Sequence, residues 1–153
     1  MPRSRQEVVA ELGAAMQQYQ RSVEAFDDAV GRTLGLGAAD LRCLDWLTEG
    51  PRTAGELAVA AGLRPAATTA LVDRLSARGL VRRVASPDDR RKVLVEMTEA
   101  GRELTWSAYG PLVEEGQHLF DDASTEQLAA MRDLLRDMRE LTDRHRARMQ
   151  ALG

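Results

Sequence analysis

Between Arg64 and Lys92 the chain sets eight basic residues (Arg64, Arg74, Arg78, Arg82, Arg83, Arg90, Arg91, Lys92) against three acids, Asp73, Asp88 and Asp89, a local charge of +5 in a chain of net charge −3. A basic block inside an acidic chain concentrates positive potential on one face and attracts phosphate. A solvated charged surface is the alternative reading of the same residues. Other chemistry finds few candidates. His118 and His145 lie near the C-terminus, and Glu114 and Glu115 beside His118 read as a helical surface pair. There is no His-Glu-x-x-His, no phosphate-binding glycine loop and no nucleophile elbow, so no enzyme is expected. Cys43 is the single cysteine. It allows no intrachain disulfide and no cysteine-based zinc cluster, and neither metal nor other cofactor is expected.

The elements that must position the basic block are readable from periodicity and punctuation. Val8, Leu12, Met16, Tyr19, Val23, Phe26 and Val30 recur every three or four residues and predict a long helix over 6–34. A second helix runs from about Ala38 to Glu49 with Leu41, Leu44 and Leu47 on one face, and Gly50-Pro51 ends it. Thr53-Ala54-Gly55-Glu56 is a capping box opening a short helix that Gly62 stops. Pro65 suits the first position of the next helix, which reaches about Arg78 before Gly79 and carries Leu71 and Leu75 inward. Short helix, glycine turn, longer helix is helix-turn-helix spacing. The period then changes to two. Residues 80–84 and 92–97 read as strands around the polar loop Ala85–Arg91, a hairpin placed as a wing. Thr98 caps a helix from about Glu99 to Leu119, which Gly110-Pro111 should kink or break. Ser124-Thr125-Glu126-Gln127 opens a last helix with Leu128, Met131, Leu135, Met138 and Leu141 on one stripe.

The fold class expected is mainly α with a minor β part. A winged helix-turn-helix module over 38–98 lies between a dimerisation helix over 1–37 and dimerisation helices over 99–153. The module is too small to cover the stripes of the long flanking helices, so a second subunit is the simplest cover. With 153 residues, 44% of them apolar, the chain can bury a core without staples. Only 4% aromatic residues argues against a stacking platform for single strands. The start, MPRSRQEVVAELG, lacks the apolar centre of a signal peptide, and no stretch has the length of a membrane span. No membrane association is expected, and a cytoplasmic location is.

Two stretches carry a resemblance. One is Thr69-Ala70-Leu71-Val72-Asp73-Arg74-Leu75 with Ala77-Arg78-Gly79-Leu80-Val81-Arg82-Arg83. The other is Pro87-Asp88-Asp89-Arg90-Arg91-Lys92-Val93-Leu94-Val95, ending Met97-Thr98-Glu99-Ala100-Gly101. In these the chain resembles the MarR (multiple antibiotic resistance regulator) family, whose wing carries Asp-x-Arg followed by Leu-Thr-x-x-Gly. Asp89-x-Arg91 stands in place here, and Met97 replaces the usual Leu. The resemblance implies a triangular homodimer on palindromic double-stranded DNA, in many members a repressor released by a small aromatic or lipophilic effector. It also implies an effector cleft between the dimerisation helices and the module, for which Phe26, Arg42 and Trp46 are candidates. Packing in the core is the alternative for these aromatics. Cys43 reads as a buried, inert thiol, with intersubunit or mixed disulfides as the only oxidation routes open to it.

On this reading the N-terminal half of the 65–78 helix enters the major groove. Pro65, Ala66, Thr68, Thr69 and Val72 are expected nearest the duplex, with Thr68 and Thr69 offering hydroxyls and methyls to bases. Arg64, a poor N-cap, is a candidate phosphate or base contact. Arg74 is either a phosphate contact or the partner of a nearby acid. At most one of Arg82 and Arg83 should face DNA. Arg90 and Arg91, at a narrow hairpin tip, fit a minor groove, where negative potential attracts arginine. The resemblance gives Asp89 the role of orienting the wing. A module that binds protein rather than DNA is the rival.

Overall fold

The computed structural model describes residues 4–152. Helix α1 spans Arg5–Leu34, α2 Ala38–Thr48, α3 Ala54–Ala61 and α4 Pro65–Ala77. A two-residue strand β1, Arg52–Thr53, precedes α3, and β2, Val81–Ala85, and β3, Val93–Met97, follow α4. Helix α5, Glu99–Gln117, leads through a 3-10 turn, His118–Phe120, to α6, Thr125–Gln150. The chain divides into two compact units, the first ending at Ala108 and the second beginning at Tyr109, inside α5.

Local chemistry sets these limits. Ser4 opens α1: its hydroxyl accepts from the Glu7 amide at 3.2 Å, and the Glu7 carboxylate accepts from the Ser4 amide at 2.6 Å. The same reciprocal pair opens α3 between Thr53 and Glu56, and opens α6 between Ser124 and Gln127. Being hydrogen-bonded to backbone amides, the carboxyls of Glu7 and Glu56 are held below the usual carboxylate range. Gly35 and Gly62 end α1 and α3 in the left-handed conformation.

Two expectations change. Helix α5 is not broken at Gly110-Pro111 but runs through Pro111. Proline deprives the Ser107 carbonyl of its helical donor, and Ser107 is exposed, so water can satisfy that carbonyl. Strand β1 was not foreseen. The chain enters α3 extended, and Arg52 and Thr53 pair antiparallel with Val95 and Leu94, giving a sheet ordered β1-β3-β2.

The core lies under this sheet. Leu44 and Leu47 of α2, Leu57 of α3, Leu71, Val72 and Leu75 of α4, and Val81, Val95 and Met97 of the sheet form one buried cluster. The wing is fastened to that core at the start of α5. Thr98 donates its amide to the Leu80 carbonyl at 3.0 Å and its hydroxyl to the Gly79 carbonyl at 2.6 Å. The same hydroxyl accepts from the Gly101 amide at 3.0 Å. A side chain at Gly101 would meet the Leu80 carbonyl oxygen at 2.2 Å, so this close approach needs glycine. The Thr-x-x-Gly stretch is thus the joint between the wing's return strand and α5.

Candidate nucleic-acid interface

Helix α4 presents two unlike faces. Thr68, Leu71, Val72 and Leu75 are buried. The expectation that Thr68 and Val72 face a duplex is therefore corrected: Thr68 is 1% exposed, and its hydroxyl donates to the Arg64 carbonyl at 3.0 Å. Pro65, Ala66, Ala67, Thr69 and Ala70 form the exposed face. Thr69 donates its hydroxyl to the Pro65 carbonyl at 3.1 Å, which leaves its methyl and its oxygen lone pairs outward. Arg64 sits at the N-cap with extended backbone and makes no side-chain cap bond. The first amides of α4 consequently keep no side-chain acceptor, the arrangement in which a helix start attracts phosphate oxygens.

The eight basic residues separate into two groups. Arg74 donates to the buried Asp40 carboxylate of α2. Arg78 donates to the Leu34 and Gly35 carbonyls, both at 2.8 Å. Arg82 pairs with Glu96, directly across the hairpin, at 2.6 Å. Arg83 pairs with Asp73 of α4 at 2.6 Å. Both therefore have a carboxylate partner within the fold. Lys92 places its charge near Glu56. The side chains of Arg64, Arg90 and Arg91 make no hydrogen bond or ion pair among the described residues, and all three are exposed.

The wing tip that carries two of them is built by backbone. The Ser86 amide donates to the Lys92 carbonyl at 2.9 Å and closes the loop. The Asp89 carbonyl accepts from the Lys92 amide at 2.9 Å, and the Asp89 carboxylate accepts from the Arg91 amide at 3.0 Å. Asp89 therefore folds the tip through a local turn rather than through an arginine side chain.

Of the effector candidates, Phe26 is half-buried on α1, and Arg42 and Trp46 lie one turn apart on α2. Arg42 reaches the Ala61 carbonyl at 3.4 Å. Trp46 is 39% exposed, and the Arg52 guanidinium lies 5.6 Å from its ring centroid, within cation–π range. On the same helix, burial and then the neighbouring Glu49 and Asp27 push the Asp45 carboxyl up. Cys43 is fully buried, and burial followed by the nearby Asp40 charge pushes its thiol up to about 11. His118 meets Asp121 at 3.2 Å on an exposed turn, not the glutamates expected from the sequence. Among the described residues no cluster of metal-ligating side chains occurs, and no helix is long and apolar enough to cross a membrane.

A short helix, a longer helix with one buried stripe, and a two-stranded arginine-tipped hairpin define a winged helix-turn-helix. The sequence pattern of the MarR family matches residues 34–92. The HTH-type transcriptional regulator YcgE of Bacillus subtilis (strain 168) is 39% identical over 104 residues, 67% of this chain and 68% of the relative. The HTH-type transcriptional repressor NicR of Pseudomonas putida is 46% identical over 55 residues, 36% of this chain and 35% of that protein. A solved MarR family protein from Bacillus stearothermophilus shares the fold with a TM-score of 0.67 at 22% identity, covering 92% of this chain and 99% of the other. The chain belongs to the MarR family. It is a DNA-binding transcriptional regulator, a class without catalytic activity.

Proposed function

We propose that this regulator is a cytoplasmic repressor that binds a palindromic operator as a homodimer and leaves it when a small aromatic or lipophilic effector binds. The observation that carries the DNA contacts is the division of the arginines: Arg64, Arg90 and Arg91 stay free while four others are held by partners within the fold. In this reading α4 enters a major groove through Ala66 and Thr69. Arg64 and the first amides of α4 meet phosphate, and Arg90 and Arg91 enter the adjoining minor groove. Pro65 fixes the helix start, and Asp89 shapes the tip.

The dimer reading is supported by apolar side chains left in water on the outer helices. Val8, Leu12 and Tyr19 of α1 are exposed, Tyr19 to 71%, as are Met131, Leu135 and Leu141 of α6. Residues 1–37 and 99–153 are assigned to dimerisation and 38–98 to DNA. Two-fold symmetry then places half-sites about 10 base pairs apart. The effector reading is supported by the exposed Trp46 with Arg42 on the same face of α2, and by Phe26 on α1. The name of NicR supports repression rather than activation.

The test is selection of bound duplexes from a random pool, followed by affinity against salt for the wild type and for Arg90→Ala/Arg91→Ala. The slope of log affinity against log salt should shrink by about 0.9 for each phosphate neutralisation lost. An unchanged slope and affinity in the double variant refutes the wing contact. A wild type that retains no duplex in dilute salt leaves the protein-binding reading of the module.

A further inference from the structure

Arg74 of α4 and Arg78 at its C-cap, one turn apart, both bond the same short junction. Helix α1 ends at Gly35, whose left-handed backbone (φ 64°) turns the chain out and leaves terminal carbonyls without helical donors. Arg78 supplies those donors, bonding the Leu34 and Gly35 carbonyls at 2.8 Å each. A cation at a helix C-terminus is also favoured by the helix dipole. Two residues on, Gly37 is the N-cap of α2, and its amide donates to one carboxylate oxygen of Asp40 at 2.9 Å. The other carboxylate oxygen accepts from Arg74. Asp40 is only 4% exposed, so its charge depends on this partner. The junction between α1 and α2 is thereby held at both ends by the C-terminal half of α4, whose N-terminal half carries Ala66 and Thr69.

We propose that Arg74 and Arg78 are positioning residues rather than DNA contacts: they lock the pitch of the recognition helix to the end of α1, so that the packing of α1 sets the spacing of half-sites the protein accepts. The proposal rests on the homodimeric DNA-binding reading above. In that reading α1 belongs to the dimer region, and α4 is the part that must arrive at the correct angle in each of two grooves. Arg74 commits one guanidinium N–H to Asp40, and Arg78 commits two to backbone carbonyls. On this proposal phosphate contacts come from other groups, and loss of either clamp loosens geometry without removing a counterion-releasing contact.

The experiment uses the full chain and the duplex selected with the wild type, with variants of that duplex in which the half-site spacing is changed by one base pair either way. Arg78→Gln is the first variant, because the carbonyls it frees lie at exposed or half-buried positions that water reaches. The second is Asp40→Asn/Arg74→Gln, which removes the buried charge together with its partner. Thermal unfolding verifies that each is folded. Both should bind the preferred spacing about fivefold more weakly, within the range of couplings carried through packed networks. Their discrimination against shifted spacings should contract, and their salt slopes should equal that of the wild type. Arg78→Lys, which retains a donor and a charge, should restore most of the discrimination. A slope lowered by about 0.9 per substituted arginine makes them phosphate contacts and overturns the proposal. Undiminished spacing discrimination in a folded variant also overturns it. If the double variant does not fold, Arg78→Gln and its lysine rescue decide the question. A wild type that binds no duplex overturns the DNA-binding reading and this inference together, whereas normal wild-type binding with indifferent variants overturns this inference alone.

Discussion

Replacing Gly101 by alanine drives a methyl group against the backbone on which the wing is hung. The new carbon would lie 2.2 Å from the Leu80 carbonyl oxygen and 2.8 Å from Cγ of Met97. A tolerable carbon–oxygen contact is about 3.3 Å, so the start of α5 and the turn between α4 and β2 must part by about 1 Å. That opening breaks the 3.0 Å bond from the Thr98 amide to the same carbonyl and strains the 2.6 Å bond to Gly79. Overpacking costs roughly 1–3 kcal/mol and a lost buried hydrogen bond about 1 kcal/mol. Alanine returns about 1 kcal/mol through helix propensity. The net is a destabilisation of about 2 kcal/mol, or about 4–8 °C in melting temperature for a chain of this size. Gly116 supplies the control on the same helix: nothing lies within 4 Å of a Cβ built there. Gly116→Ala should therefore stabilise, by about 0.4–1 kcal/mol. The assay is thermal and urea unfolding followed by circular dichroism at one fixed protomer concentration, because assembly shifts apparent stability. Two substitutions of identical chemistry should move stability in opposite directions. If Gly101→Ala melts at or above the wild type, the close approach does not exist and the account of the wing joint is wrong.

Two further outcomes follow from the same geometry. Cys43, buried and with its thiol pushed up to about 11, should react with iodoacetamide at pH 8 about a hundredfold more slowly than a free cysteine, the rate rising with pH toward 11 as thiolate forms; fast labelling of the native protein would show that the site opens. The N-terminal half of α4 exposes Ala66, Ala67, Thr69 and Ala70 and no long donor beyond Arg64, so its base contacts should be largely with methyl groups. Replacing a contacted thymine by uracil should weaken binding about fourfold, the worth of one buried methyl, and an indifferent response at every half-site thymine would refute that contact.

The helices were legible because their ends are written in short-range chemistry. Thr53 with Glu56, Ser124 with Gln127, and Gly35 and Gly62 each act within four residues, so the chain displays them directly. The wing was legible for a similar reason, a change of period on either side of a polar loop. Strand β1 was not, since two residues carry no period and Arg52 and Thr53 become a strand only by meeting β3. The face of α4 was half legible. Leu71 and Leu75 locate the buried side, but two leucines do not fix the width of the stripe, and Thr68 looks polar until its hydroxyl is seen to close on the Arg64 carbonyl. The partners of the arginines were hidden altogether. Asp40 lies 34 residues before Arg74, and the carbonyls that hold Arg78 lie 43 and 44 residues before it. No local pattern announces contacts of that range.

This concealment changes what the local charge of the 64–92 segment means. Counted along the chain, eight basic residues look like eight offers to phosphate. In the fold, Arg74, Arg82 and Arg83 are each paired with a carboxylate, and Arg78 bonds two backbone carbonyls. Those contacts orient α4 and stiffen the hairpin, so they fix where the remaining cations stand. What is left is concentrated at two points, the start of α4 and the tip of the wing. Such a distribution gives up attraction spread along the surface and gains placement. A regulator built in this way should find its duplex less by total charge than by whether both points meet phosphate and groove together, and so should discriminate strongly against duplexes that engage only one of them.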